Sequence, residues 1–295
     1  MTYSIVARDP ETGNLGVAVQ SHWFAAGLVC WARAGVGAVA TQATALVEYG
    51  PLGLEVMADG GSSIEALEAR LATDDDREHR QVAMVDAHGR VAAHTGSSCI
   101  REAGHRTGDG FSCQANMMRR STVWDAMLDA FAGSSGDLAE RLLVTLEAAE
   151  AEGGDIRGKQ AARILVVRAE ATDRSWEDVL VDLRIDDHPS PLPELRRLLT
   201  LQRAYDRLEV AEEMELAGDI DGSLAERQAA MAAVPDNPEI AFWTAISLAV
   251  HGRTDEARSA LAVAVPADPG WSELLRRLAD QHLVELTPDQ VAALL

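Results

Sequence analysis

The chain opens MTYSIVARDPETGNLGVAVQS, and Thr2 is the side chain here with the most chemistry to offer. Methionine aminopeptidases remove an initiator that precedes a small residue, so Thr2 is expected to become the amino terminus. It would then carry a hydroxyl and a free α-amine on adjacent carbons. With an ordinary pKa of about 7.7–8.0, a useful fraction of that amine is neutral near pH 7 and can take the hydroxyl proton. One residue then supplies both nucleophile and base, a pairing suited to attack on an amide or other acyl carbon. Thr2 also directly precedes a β-branched run, and a strand end can hold the amine in place.

Other chemistries find less support. Ser21 beside His22 does not make a triad by adjacency alone. Asp187 and His188 are neighbours whose side chains diverge on a strand, and no H-x-x-x-H occurs, so no metal is expected. Cys30, Cys99 and Cys113 contain no C-x-x-C and are odd in number, which fits a reducing cytoplasm better than a disulfide framework. Neither a G-x-G-x-x-G between strand and helix nor a P-loop is present, so no nucleotide cofactor is implied. The formal charge of −21 disfavours nucleic acid and anionic membranes as partners. No run approaches the ~18 apolar residues of a membrane span, and no export signal is evident.

The elements that must position these groups fall into two regions. Residues 3 to about 117 are largely β: Ser4–Arg8 and Leu15–Ser21 flank the turn DPETGN, Gly27–Arg33 and Val36–Gln42 flank Ala34-Gly35, and 80–86 and 90–96 flank Ala87-His88-Gly89. Between the last two pairs, PLGLEVMADG and SSIEALEARLA have helical spacing, with Ser62 or Ser63 as N-cap. Two helical segments follow FSCQANMM, and then two strand-like runs, 162–170 and 176–186. This order suggests layered α and β rather than strict alternation. The Pro-rich stretch 186–199 leads into an almost wholly helical remainder. There Gly218 and Gly252, Ser223 and Ala257, and Pro235 and Pro269 each recur at 34 residues, the tetratricopeptide period, although a plain helical bundle would read similarly. Two such repeats fall below the roughly three needed for independent stability, so this region should lean on the first domain or on a second subunit.

Six motifs in order, SIVARDPETGNLGVAVQS (4–21), WARAGVGAVATQ (31–42), RQVAMVDAHGRVAAHTG (80–96), AGHRTGDGFSCQANMM (103–118), GGDIRGKQAARILVV (153–167) and LRIDDHPSPLPELRRL (183–198), resemble a bacterial family, domain of unknown function 1028, of the Ntn-hydrolase superfamily. The resemblance spans nearly all of residues 2–198. It implies a four-layer αββα sandwich over 1–198, and the 34-residue recurrence adds a small all-α tetratricopeptide-like domain over 199–295, an α+β fold as a whole. It implies kinship with enzymes that cleave amide bonds through an N-terminal Thr, Ser or Cys, and it supplies no substrate. The family usually has Lys where His22 stands, Gly at Ala115 and Ser at Ala161, which bears on substrate contacts rather than on the fold.

Carried over residue by residue, Thr2 is the nucleophile. Arg33 tunes the amine, binds a substrate carboxylate, or forms a salt bridge at the sheet edge. Thr41 and Gln42, beside Gly35 and Gly37, line the substrate's approach. Gln114 and Asn116 donate to an oxyanion or cap a turn. Asp155, Arg157 and Gln160, next to Gly153 and Gly154, contact substrate or balance charge in a helix-to-strand turn. The expected activity is a cytoplasmic amidohydrolase acting on a small molecule without a cofactor. The alternative is a metabolite-binding domain whose helical repeats dock a protein partner. A homodimer is expected on fold grounds.

Overall fold

In the computed structural model, Thr2–Leu295 are described; Met1, and with it the expected processing step, lies outside the described residues. The chain divides into one compact unit ending at Arg196 and another running from Arg197.

The first unit is built on two antiparallel sheets. Strands β1 (Thr2–Arg8) and β2 (Leu15–Ser21) form the expected hairpin, closed where Asp9 and Asn14 pair and Gly13 takes φ +76. The next pair is β3 (Cys30–Arg33) and β4 (Gly37–Ala43). The expected strand from Gly27 starts late because Ala26–Val29 winds into a 3-10 turn, with Gly27 pressed against Arg163. Helices α1 (Tyr49–Ala58) and α2 (Ser63–Ala72) follow, and Ser62 caps α2 in a reciprocal capping box with Glu65.

Strands β5 (Arg80–Asp86) and β6 (Val91–Thr95) complete a sheet of order β3-β4-β5-β6. Sequence reading did not separate the next hairpin, β7 (Gly104–Gly108) and β8 (Phe111–Asn116), whose turn rests on Gly110 at φ +76. Helices α3 (Val123–Gly133) and α4 (Leu138–Ala151) lead to β9 (Ala161–Val167) and β10 (Val179–Ile185), which give a second sheet of order β10-β9-β2-β1-β8-β7.

The sheets face each other. Alternate residues Val6, Val17, Val19, Ala38, Ala40, Ala83, Val85 and Leu165 form one buried cluster between them. On the outer face of the four-stranded sheet, Tyr49, Leu54, Met57 and Leu67 of α1 and α2 pack on Val39, Val82 and Met84. On the outer face of the six-stranded sheet, α4 buries Leu138, Leu142 and Leu146 at helical spacing, and Leu138 and Leu142 close over Gly16 of β2.

Helix α5 (Pro191–Leu216) contributes its first turns to this unit, where Arg196 forks onto Glu147 of α4 at 2.7 and 2.8 Å. Its remainder opens the second unit with α6 (Ile220–Ala233), α7 (Pro238–Val250), α8 (Thr254–Ala267), α9 (Gly270–Asp280) and α10 (Pro288–Leu294). The recurring positions occupy matching places. Gly218 and Gly252 turn between helices at φ +87 and +77 with open space around them, so backbone conformation and not crowding requires glycine. Ser223 and Ala257 are fully buried where a small residue was expected. No helix among the described residues is long and apolar enough to cross a membrane.

Asp86 ties sheet, turn and helix together. Its carboxylate accepts from the Ser63 amide at the start of α2, from the His88 and Arg90 amides of the β5–β6 turn, and from the Arg90 guanidinium at 2.7 Å. Burial alone would push this carboxyl up, but these donors outweigh it and hold it below its usual 3.8. A lowered folded-state pKa contributes stability above the unfolded value that is lost as pH falls through the folded one. Asp86→Asn is therefore expected to cost about 2 kcal/mol at pH 7, and the gap should close below about pH 4, read from urea midpoints across pH.

Candidate active site at the start of the first strand

Strand alternation sends Tyr3 and Ile5 of β1 to the helix side and Thr2, Ser4 and Val6 between the sheets. Tyr3 reaches Glu150 of α4 at 2.9 Å; its hydroxyl pKa is raised by burial first and by that carboxylate second. Ser4 reaches Gln42 of the opposite sheet at 2.7 Å. The space between the sheets therefore changes character along the strands, apolar around Val6 and polar towards Thr2.

At the polar end, buried Thr2 is held at both of its oxygens. Its Oγ1 donates to Ser21 Oγ at 3.0 Å, across the β1–β2 ladder. Its carbonyl accepts from Gln42 Nε2 at 3.2 Å and Asn116 Nδ2 at 3.4 Å. Gln81 of β5 joins these clamps, because its Oε1 accepts from Gln42 at 2.7 Å and from Asn116 at 2.9 Å. Its Nε2 in turn donates to the Ala115 carbonyl and to Thr95 Oγ1, each at 2.9 Å. Gln114 donates to Ser4 at 2.6 Å and accepts from Ser112 at 2.9 Å. Thr95 contacts His105 Nδ1 at 2.8 Å, and burial holds that imidazole below its usual pKa.

A loop spans the strand ends beside Thr2. Buried Asp155 accepts from the His22 amide at 3.3 Å and bridges to Met118, while Ile156 donates its amide to the Met117 carbonyl. Arg157 forks onto Asp155 at 3.3 and 3.0 Å, so the buried carboxylate is paired. A small cavity of about 70 Å³ lies alongside, lined by Thr44, His79, Ser98, Ile100, Asn116 and Met117 among others. A larger cleft of about 670 Å³ lies in the helical unit, lined by Arg276, Asp280, His282 and Leu286 among others. It contains none of the residues expected to do chemistry, so the smaller cavity is the more informative one.

The structure gathers Thr2, Gln42, Gln114, Asn116, Asp155 and Arg157 at this end and separates others. Arg33 pairs with Gly37, five residues along β4 from Gln42, which at strand rise is about 16 Å away. An edge-strand position at the far end keeps it from tuning the Thr2 amine. Gly35 serves a turn at φ +69, and a Cβ on Gly37 would meet the Val85 carbonyl at 2.5 Å, so neither glycine opens a path to Thr2. Thr41 is buried on the helix-facing side of β4, opposite Gln42, and its hydroxyl has no partner among the described residues. Gln160 gives its amide N–H to the Ser21 carbonyl and turns its side chain out to Asp187 at 3.0 Å.

Asn116 and Gln114 are present but engaged: the donors expected for an oxyanion are spent on Thr2, Gln81 and Ser4. Sequence reasoning missed Gln81, Ser4 and Ser112. The available signal was polar residues at every second position of buried strands, on the face that elsewhere carries Val and Ala.

Burial raises the thiol pKa of Cys30 to about 12 and that of Cys113 further still. Cys99 is raised chiefly for the same reason. None is poised as a thiolate, which leaves the hydroxyls as nucleophile candidates. Among the described residues no group of three His, Cys, Asp or Glu side chains is arranged to hold a metal ion.

The fold and this site define an α+β domain with a buried polar end between two antiparallel sheets, followed by a helical unit. The chain belongs to the family of unknown function DUF1028, whose model matches residues 2–195. It is similar to the crystal structure of protein SPO2555 from Silicibacter pomeroyi, itself assigned to DUF1028, with 33% identity and a TM-score of 0.61 over 67% of this chain and 84% of that one. No curated protein matches the chain.

Gln81→Ala removes the shared acceptor of two buried amides and leaves a void, at a cost of about 3 kcal/mol. Ser112→Ala removes one peripheral bond, at about 1 kcal/mol. Calorimetry of the first unit's transition should show the larger fall in midpoint for Gln81→Ala, by about three to one.

Proposed function

We propose that the first unit is an N-terminal-nucleophile hydrolase that cleaves a small amide or related C–N bond through Thr2 once Met1 has been removed. The observation that carries this reading is the grip on Thr2: its carbonyl is clamped by Gln42 and Asn116 while its hydroxyl lies 3.0 Å from Ser21 Oγ. The carbonyl clamp fixes the backbone of Thr2 and the bond to Ser21 restrains its χ1, so amine and hydroxyl are held relative to one another, which is what a nucleophile that is its own base requires. The order of helix pair, sheet, sheet and helix pair supports an αββα sandwich of the Ntn-hydrolase type.

In this mechanism Thr2 Oγ1 attacks the acyl carbon and its proton passes to the α-amine, directly or through Ser21. The amine delivers that proton to the leaving nitrogen as the C–N bond breaks, and an ester on Thr2 remains. Water gives a proton to the same amine, adds to the ester and releases the acid, restoring the threonine hydroxyl. Because Asn116 and Gln114 are engaged, backbone N–H groups at the strand end carry the oxyanion. Asn116 and Gln42 are positioning residues. Three free cysteines support a reducing compartment. The 34-residue recurrence in the helical unit supports a tetratricopeptide-like module that docks a protein.

Intact mass is expected to show loss of Met1 and a single adduct on Thr2 after treatment with a β-lactone. Thr2→Ser should retain labelling and Thr2→Ala abolish it, and the rate should rise with pH through about 7–8 as the amine loses its proton. A retained Met1, or a free Thr2 that never reacts, would sink the mechanism in favour of a non-catalytic metabolite-binding domain.

A further inference from the structure

Trp23, Phe24, Val47, Ile100 and Ile156 are large apolar side chains that are each more than half exposed, and the backbone brings all five to the Thr2 end of the first unit. Trp23 and Phe24 follow two and three residues after Ser21, the ladder partner of Thr2. Ile156 sits on the loop that bonds to the His22 amide on one side and the Met117 carbonyl on the other. Ile100 lines the cavity of about 70 Å³ together with Asn116, Met117 and Thr44, and Val47 comes three residues after Thr44. Of the charges carried on the spanning loop, Asp155 pairs with Arg157 and Lys159 pairs with Glu150 of α4.

A chain of net charge −21 has ample charge with which to cover its surface. Apolar side chains gathered around one strand end mark a binding surface rather than the scatter of single exposed residues found on any protein. Resting on the reading of Thr2 as nucleophile, we infer that the substrate is an amide bearing a large apolar group, an alkyl chain or an aromatic ring, which lies on this rim. Trp23 and Phe24 set that specificity. The bonds made and broken are those of the amide cleavage already described, and the rim adds binding energy without entering the chemistry.

The test uses the full-length, Met1-processed protein and two β-lactones, one carrying a methyl and one a hexyl substituent, with Thr2 acylation followed by intact mass. The hexyl lactone is expected to label at least about tenfold faster, a modest share of what buried methylenes give in closed pockets. Trp23→Ser/Phe24→Ser, and separately Ile100→Ser, should bring that ratio down towards one with circular dichroism unchanged. Equal rates for the two lactones, or faster labelling by a carboxylate-bearing lactone, overturn the inference while leaving the nucleophile intact. So does a fall from dimer to monomer mass in the double variant with the ratio unmoved, which would make the rim a contact between two copies. If no lactone labels Thr2, the nucleophile reading fails, and calorimetry with octanamide decides the rim by itself: binding lost in the double variant upholds it, and no binding ends it.

Discussion

The clamp on the Thr2 carbonyl is the constraint on which the rest of the first unit depends. Burying Ser4, Gln42, Gln81, Gln114 and Asn116 between two sheets is costly unless each polar group finds a partner. Here they satisfy one another across the gap. The amide of Gln42 belongs to one sheet and the carbonyl it holds to the other, so the clamp on Thr2 is complete only when both sheets are in place. A one-residue slip of β5 would turn Gln81 to the helix side and leave Gln42 and Asn116 without their shared acceptor. Register, an ordinary property of sheets, therefore becomes a condition for the site.

The other half of the sandwich supplies the cohesion that this arrangement needs. Val6, Val17, Val19 and Val85 interleave with the small residues Ala38, Ala40 and Ala83, and that packing lets the sheets approach closely enough for amide side chains to meet further along. Glycines serve the same closeness on the outer faces. A Cβ on Gly50 would stand 2.1 Å from the Trp31 ring, and one on Gly16 would run into Leu142. The paired Asp155 and Arg157 then cover the open strand ends with a loop whose buried charge is already neutralised, so the loop demands no further counterion.

The helical unit uses different devices. Asp219 and Asn237 cap α6 and α7, and glycines at positive φ reverse the chain after α5 and α7. Its core gathers Phe242, Leu248, Leu261 and Leu275 around small residues such as Ala245, Ala257 and Ala264. Glu215 bonds Arg227 at 2.8 Å and lies near Ser247, a polar tie between α5 and α6 inside an otherwise apolar packing.

Local features were legible in the sequence because their causes are local. The turn DPETGN, the cap at Ser62, the strand over 80–86 and the 34-residue spacing of Gly218 and Gly252 each depend on residues within a few positions of one another or on simple recurrence. The place of Thr2 at the start of a strand was likewise readable, since a β-branched run follows it directly. What the sequence could not decide was which groups meet. Arg33 and Gln42 lie in one short motif yet stand near opposite ends of a strand, and adjacent Thr41 and Gln42 face opposite sides of a sheet. Gln81 entered the site and the amides of Gln114 and Asn116 were withdrawn from an oxyanion role by hydrogen bonds across strands far apart in sequence. Composition and spacing determine what each element can be; only packing one sheet on another decides which polar groups have partners, because those partners come from strands far apart in sequence.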